Sequence, residues 1–199
     1  MNILIDLLPE KIDIEGVEYA INSDFRTSML FELMMADNEL DDKQKIEKAL
    51  LLYYPKIPLN INLAVEQILW FYRCGKDMVI SGGIGKDKSM QIYDFNFDDD
   101  YIYSAFLDQY GVDLQDIKNL HWWKFKAMFK SLKEDNEIVK IMGYRSMDLS
   151  KIKDKEQKAH YKKMKDLYKI NDISSKDEIE KLNSIESTLI NGGDLSKLL

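Results

Sequence analysis

The stretch that decides the fold is LHWWKFKAMFKSL, residues 120–132. Its large apolar residues Trp122, Phe125, Phe129 and Leu132 recur every three or four positions, which is the spacing of one face of an α-helix. The interleaved lysines fall mostly elsewhere on that helix. The pattern therefore predicts a helix whose aromatic face packs in a core, and it favours this interpretation over a row of rings for stacking on nucleic-acid bases.

Helical periodicity recurs along most of the chain, with one exception near the N-terminus. Residues 12–21 alternate apolar and polar around Glu15-Gly16, which predicts a β-hairpin. Elsewhere, capping residues followed by apolar residues at helical spacing predict helices. These span about 24–36, 42–54, 60–74, 98–110, 120–132 and 154–168, with a short one before Gly143 and a last one opened by Ser175. The predicted fold is mainly α, a helical bundle of about seven helices with one small N-terminal β-hairpin.

Glycine placement suggests how the chain is divided. Four of the nine glycines lie between residues 75 and 85, so residues 75–90 are predicted to be a Gly-rich loop or linker. This leaves an N-terminal lobe of hairpin and helices (1–74), a second helical lobe (91–170) and a C-terminal helix and tail (171–199). The two C-terminal helices have thin apolar faces, so we expect them to pair with each other or to need a partner.

Composition excludes several classes of protein and of site. The chain has 199 residues, 45% of them hydrophobic, which is enough for a core. One cysteine rules out an internal disulfide framework and a cysteine-based zinc site, and two histidines leave few ligands for a catalytic metal. The N-terminus lacks a signal peptide's basic region, and no stretch approaches the ~20 apolar residues of a membrane span. We expect a cytosolic protein without cofactor, metal or membrane contact.

The formal net charge of −7 conceals an asymmetry. Residues 1–117 carry a net charge of −12, whereas residues 118–170 carry +8. Such a division is compatible with self-association, with an anionic partner or with two solvated faces. The lysine-rich segment 151–169 is the best candidate for an anionic contact, and an acidic protein segment suits it as well as nucleic acid. Only three arginines are present, which argues against nucleic acid because arginine makes bidentate contacts to phosphate and guanine.

Two motifs that suggest ligand sites depart from the patterns they resemble. Residues 82–86, GGIGK, lack the glycine spacing of a phosphate-binding loop, and Asp87 stands where Ser or Thr should follow the lysine. Residues 94–98, DFNFD, begin like a calcium loop, but Asp99 replaces its glycine and Ala105 its last carboxylate. We expect a plain loop at the first motif and a helix N-terminus at the second.

The single reactive side chains lack the neighbours that catalysis needs. His121 has no Ser, Cys or carboxylate beside it in an activating pattern, and Cys74 lies at the end of an apolar helix. We expect His121 to stand at a helix start beside a buried aromatic pair. The sequence therefore predicts that the protein is not an enzyme and has no catalytic residues.

An ordered series of segments resembles a known family. The segments are Tyr93-Asp94-Phe95, residues 100–114 (DYIYSAFLDQYGVDL), residues 120–125 (LHWWKF) and Gly143-Tyr144-Arg145. Together they resemble the "bacteriophage gene product fifteen" family of tailed phages and prophages of Gram-positive bacteria. The series is fairly specific to the family, because an ordinary helical pattern does not require these residues in this order. The resemblance covers residues 1 to about 170 and leaves 171–199 outside.

The resemblance implies a non-enzymatic role in siphophage tail morphogenesis. Genes of this family typically lie between those of the tail tube protein and the tape-measure protein, a position that belongs to tail-assembly chaperones. The expected partners are the tape-measure protein and the tail tube protein, in the cytoplasm of the bacterial host, and a homo-oligomer stays open. The alternative is a phage nucleic-acid-binding module that uses residues 151–169.

The surface expected to contact a partner lies near the two tryptophans and on the basic helix. Its predicted residues are Trp122, Trp123, Tyr144, Arg145, Lys158, Lys162 and Lys165. Core packing explains the tryptophans equally well, so the sequence leaves both roles open for them.

Overall fold

The structure is a computed structural model that describes residues 1–76 and 91–170. This part of the chain is mainly helical, with a two-stranded antiparallel hairpin, β1 (Lys11–Ile14) and β2 (Val17–Ala20), ahead of seven α-helices. The helices are α1 (Phe25–Ala36), α2 (Asp42–Tyr53), α3 (Ile61–Tyr72), α4 (Asp99–Tyr110), α5 (Trp122–Lys130), α6 (Glu137–Ser146) and α7 (Lys155–Leu167). The predicted fold class is confirmed, and the predicted helix opened by Ser175 lies outside the described residues.

The hairpin turns where the sequence predicts. Glu15 and Gly16 have φ values of 56° and 79°, and positive φ at both central residues is what a type I′ turn requires. Ile14 pairs with Val17 across the turn. Ile12 and Ile14 are buried, so one face of β1 enters the core.

Four of the helices begin with an Asp or Asn side chain that caps the first turn. Side-chain oxygens of Asp24, Asp41, Asn60 and Asp154 accept backbone N–H groups in the first turns of α1, α2, α3 and α7. Each bond satisfies one of the amides that a helix leaves free at its N-terminus. At α2 the side chain of Gln44 bonds back to the amide of Asp41, which completes a capping box.

Three helices differ in their bounds from the prediction, and one of them is α5, which spans Trp122–Lys130 instead of 120–132. α3 ends two residues before Cys74, because the chain takes φ values of 58° at Cys74 and 68° at Gly75 that a right-handed helix does not allow. Gly143-Tyr144-Arg145 lies inside α6 instead of after a helix. A glycine weakens a helix interior by only about 1 kcal/mol relative to alanine, so α6 continues through Gly143.

One hydrophobic core joins helices from both sides of residues 77–90. Phe125 of α5 stacks on Phe25 of α1 and on Phe106 of α4, with ring centroids 5.0 Å and 4.8 Å apart. Residues 1–168 accordingly form one compact unit, so helices of the predicted segments 1–74 and 91–170 share this core. Lys169 and Ile170, the last described residues, lie outside this unit.

The starts of α1 and α5 are bonded to each other. The N–H of Phe25 donates to the carbonyl of Leu120, and the N–H of Trp122 donates to the carbonyl of Ser23, both at 2.8 Å. The carboxylate of Asp24, which caps α1, also accepts the N–H of Leu120 at 3.1 Å. The cap of one helix therefore fixes the start of the other.

Replacing Gly75 by alanine should destabilise the protein more than the same change at Gly111. Both glycines have positive φ, so both substitutions strain the backbone. Only at Gly75 does an added Cβ meet a neighbour, 2.7 Å from Cη2 of the buried Trp123, whereas nothing lies within 4 Å at Gly111. We expect losses of about 1 kcal/mol for Gly111→Ala and about 2–4 kcal/mol for Gly75→Ala, measured by urea unfolding. Equal losses would contradict the close contact with Trp123.

Candidate functional site

The two adjacent tryptophans at the start of α5 bind the end of α3. Nε1 of Trp122 donates to the carbonyl of Tyr72 at 2.9 Å, and Nε1 of Trp123 donates to the carbonyl of Phe71 at 2.7 Å. Both carbonyls belong to the last turn of α3, where the regular helical hydrogen bonds end. The carbonyl of Phe71 also accepts the N–H of Cys74 at 2.9 Å. Trp122 is fully buried and Trp123 is 3% exposed, which confirms the interpretation of this stripe as core.

Arg145 is also an interior residue. Its guanidinium forms a bidentate ion pair with Asp98, at 2.5 Å and 2.9 Å, and both residues are buried. The same guanidinium donates to the carbonyls of Ile92 at 3.1 Å and Tyr168 at 2.6 Å. Arg145 therefore ties together the start of α4, the last turn of α6 and the end of α7.

The other predicted contact residues lie on α6 and α7. Tyr144 is half-buried and stacks on Tyr168, with ring centroids 5.9 Å apart. Lys158 and Lys162 are exposed, while Lys165 is half-buried and donates to the carbonyl of Met147 at 2.9 Å. Of the seven predicted contact residues, three are therefore buried: Trp122, Trp123 and Arg145. The other four are half-buried or exposed: Tyr144, Lys158, Lys162 and Lys165.

No residue of α7 is buried. The helix rests on α6 through the ring of Tyr144, which contacts Tyr161 and Tyr168. Four exposed lysines stand on its outer side, and we call them the α7 lysines: Lys155, Lys158, Lys162 and Lys163. No described carboxylate pairs with any of the four, so their charges face solvent.

His121 caps α5, as predicted for a helix start. Its Nδ1 accepts the N–H of Trp123 at 3.1 Å, and its Nε2 lies 3.1 Å from the carbonyl oxygen of Pro9, to which it donates. Only the neutral ring makes both bonds at once. Burial lowers the pKa of His121 and the charge of Lys124 adds to this, while the bond to Pro9 opposes it. His121 thus serves the structure as a neutral cap.

The calcium-like motif has a structural role, and the glycine-rich motif lies outside the described residues. Oδ1 of Asp94 accepts the N–H groups of Asn96 and Phe97, at 2.7 Å and 3.1 Å, so the calcium-like segment is a turn before α4. Burial raises the pKa of the Cys74 thiol, which disfavours the reactive thiolate. Residues 82–86 are not described. In the described ranges, no three His, Cys, Asp or Glu side chains cluster closely enough to hold a metal ion.

A groove at the ends of α3, α5 and α6 is a feature that sequence reasoning missed. It has a volume of about 840 Å³, and its apolar wall includes Trp123, Phe129, Leu132, Val139 and Met142. Four cationic residues also line it, and we call them the groove cations: Arg73, Lys76, Lys126 and Lys130. The available signal was the spacing of Lys126 and Lys130, one helical turn apart beside Phe129.

The segments that carry these interior contacts are the ones that carry the resemblance to a phage family, since residues 120–125 supply both tryptophans and Gly143-Tyr144-Arg145 supplies the ion pair. A family model described as bacteriophage Gp15 protein matches residues 4–170. The chain belongs to the bacteriophage Gp15 family. No curated protein and no solved structure matches it. Among the described residues of this Gp15-family chain, no helix is both long and apolar enough to span a bilayer.

Substituting His121 by asparagine should reduce the destabilisation that mild acid causes. The unfolded chain protonates this ring near pH 6.5, while the folded protein does so only at lower pH. The free energy of unfolding therefore falls as the pH drops below about 6.5. Asparagine keeps an oxygen acceptor for the N–H of Trp123 and does not titrate.

Thermal unfolding at about pH 7.5 and pH 5.5 measures this effect. The fall in Tm between the two pH values should be smaller for His121→Asn than for the parent protein. His160→Asn, at an exposed position of α7, is the matched control and should keep the parent's fall. An unchanged fall in His121→Asn would show that His121 does not cause the acid sensitivity.

Removing one member of the buried ion pair should lower the free energy of unfolding by more than half of the loss that follows from removing both members. Asp98→Asn leaves a buried guanidinium without its counter-charge, and Arg145→Met leaves a buried carboxylate, so each should cost about 3–5 kcal/mol. The double variant should lose less than the sum of the single losses, by about 1–3 kcal/mol. A double-mutant cycle of urea unfolding gives this coupling, and strictly additive losses would refute it.

Proposed function

We propose that this Gp15-family protein is a non-enzymatic tail-assembly chaperone that binds the tape-measure protein in the host cytoplasm during siphophage tail morphogenesis. It would hold that protein until the tail tube protein assembles around it. The observation that supports the proposal best is α7, a helix that buries none of its residues and turns the α7 lysines to solvent. Membership of a phage family supports a partner that the same phage encodes.

The attachment of α7 suits a surface that meets a partner. The helix is held on its inner side, where the carbonyl of Tyr168 binds Arg145 and the ammonium of Lys165 binds the carbonyl of Met147. The helix therefore keeps its position without using the α7 lysines. Lysines that stand free on a fixed helix attract an acidic segment and speed its association.

A chaperone of a long helical protein also needs to keep the complex soluble. A helix that awaits its tube exposes apolar residues, and such surfaces aggregate unless a partner covers them. This chain carries 32% charged residues and a net charge of −7, which favour solubility of the complex. We infer that the acidic part of the protein supplies solubility and its basic part supplies contact.

Co-expression with the tape-measure protein of the same phage tests the proposal. We expect the soluble fraction of the tape-measure protein to rise and the two proteins to co-purify. Lys158→Glu/Lys162→Glu should weaken their association about tenfold at low salt, because it reverses two of the α7 lysines. Lys43→Glu/Lys48→Glu, at exposed positions of α2, changes the net charge equally and should leave co-purification intact.

Two results would contradict the proposal. An insoluble tape-measure protein with no complex would remove the chaperone role. Retention of the protein on DNA, lost steeply with added salt and abolished by Lys158→Glu/Lys162→Glu, would favour the alternative of a nucleic-acid-binding module on residues 151–169.

A further inference from the structure

The groove combines an apolar wall with charges of one sign. Trp123, Leu132 and Met142 are part of its wall, and all four groove cations lie along it. No carboxylate of a described residue lines the groove, although the whole chain carries a net charge of −7. A local excess of positive charge on an acidic protein indicates a site for an anionic ligand.

The described carboxylates do not neutralise the groove cations. None of the six ion pairs among the described residues includes Arg73, Lys76, Lys126 or Lys130. Lys126 is held by aromatic groups instead: its Nζ lies 5.1 Å from the ring centroid of Trp122 and 3.3 Å from the hydroxyl of Tyr93. The buried Nε of Arg73 has no hydrogen-bond partner among the described atoms.

The shape of the groove favours a helix as its occupant. Pockets for small molecules commonly enclose 70–90% or more of their ligand. The described residues leave this groove open along one side, so one face of an occupant stays in water. An amphipathic helix fits such a site, because its apolar face enters the groove and its polar face stays outside.

We propose that the groove binds an acidic amphipathic helix of a partner protein. The apolar side chains of that helix pack on the half-buried Ile92, Val139 and Met142, and carboxylates along its flank meet the groove cations. The inference rests on the proposed function for the partner being a protein, and it adds the chemistry of the segment that is recognised. It assigns this contact to the groove, whereas the proposed function relies on the α7 lysines.

Binding of designed peptides to the full chain tests this site. The probe is a fluorescein-labelled helix about five turns long, with leucines on one face and glutamates on the other. Its two matched relatives carry lysines in place of the glutamates, or the same composition in scrambled order. We expect the acidic amphipathic peptide alone to raise fluorescence anisotropy on addition of protein, and added salt to weaken its binding.

Charge reversal at exposed positions locates the binding. Lys76→Glu/Lys130→Glu should weaken the acidic peptide about tenfold at low salt. Lys118→Glu/Lys124→Glu changes the net charge equally outside the groove and should weaken it less than about twofold. Far-UV circular dichroism checks that both variants keep the parent's helix content.

Three results would overturn the inference. The first is equal binding of the acidic and basic peptides, and the second is an equal effect of the two double variants. The third is binding of oleate, an anionic lipid, when no peptide binds, because the groove would then be a lipid site. The test also separates this site from the proposed function. If the acidic peptide binds through Lys76 and Lys130 but no tape-measure complex forms, the groove site is supported and the proposed function is refuted. If a tape-measure complex forms and is unaffected by Lys76→Glu/Lys130→Glu, and no peptide binds, the proposed function is supported and the groove site is refuted.

Discussion

The end of α3 meets the start of α5 inside the protein, where the indole N–H groups of Trp122 and Trp123 donate to the carbonyls of Tyr72 and Phe71. A buried carbonyl without a donor costs about 1–3 kcal/mol. Successive residues of a helix point about 100° apart, yet both indoles reach this one helix end because the two termini abut. Two indole donors at adjacent positions therefore fix the distance and the angle between α3 and α5. The close approach of Trp123 to Gly75 follows from the same geometry.

The buried ion pair orients α4, α6 and α7, as the indoles orient α3 and α5. Buried pairs add little net stability, but their geometry specifies how elements meet. Arg145 reaches Asp98, Ile92 and Tyr168, so it orients three segments from one helix position. The segments that carry the resemblance to the family thus include residues that hold the fold. The proposed contacts with partners use exposed lysines instead.

Local signals in the sequence predicted the elements, while non-local contacts decided the site. The caps at Asp24 and Asp41 and the turn at Glu15-Gly16 depend on neighbours a few residues away, so the pattern of residues reveals them. The pair of Arg145 and Asp98 spans 47 residues, which no periodicity shows. The bond of His121 to Pro9 spans 112 residues. The groove was missed for the same reason, because it exists only where the ends of three helices converge.

The charge distribution supports the proposal that the α7 lysines and the groove cations meet a protein helix and not nucleic acid. Residues 1–117 carry a net charge of −12 and repel a long polyanion, whose field is screened only beyond about 10 Å at moderate salt. A short acidic segment presents fewer charges, so it approaches the α7 lysines or the groove cations at less cost. The apolar wall of the groove gains nothing from a phosphate backbone, whereas it gains burial from leucines and methionines. Lysine, a compact charge without arginine's planar fork, is sufficient for carboxylates on a helix that is oriented by its apolar face.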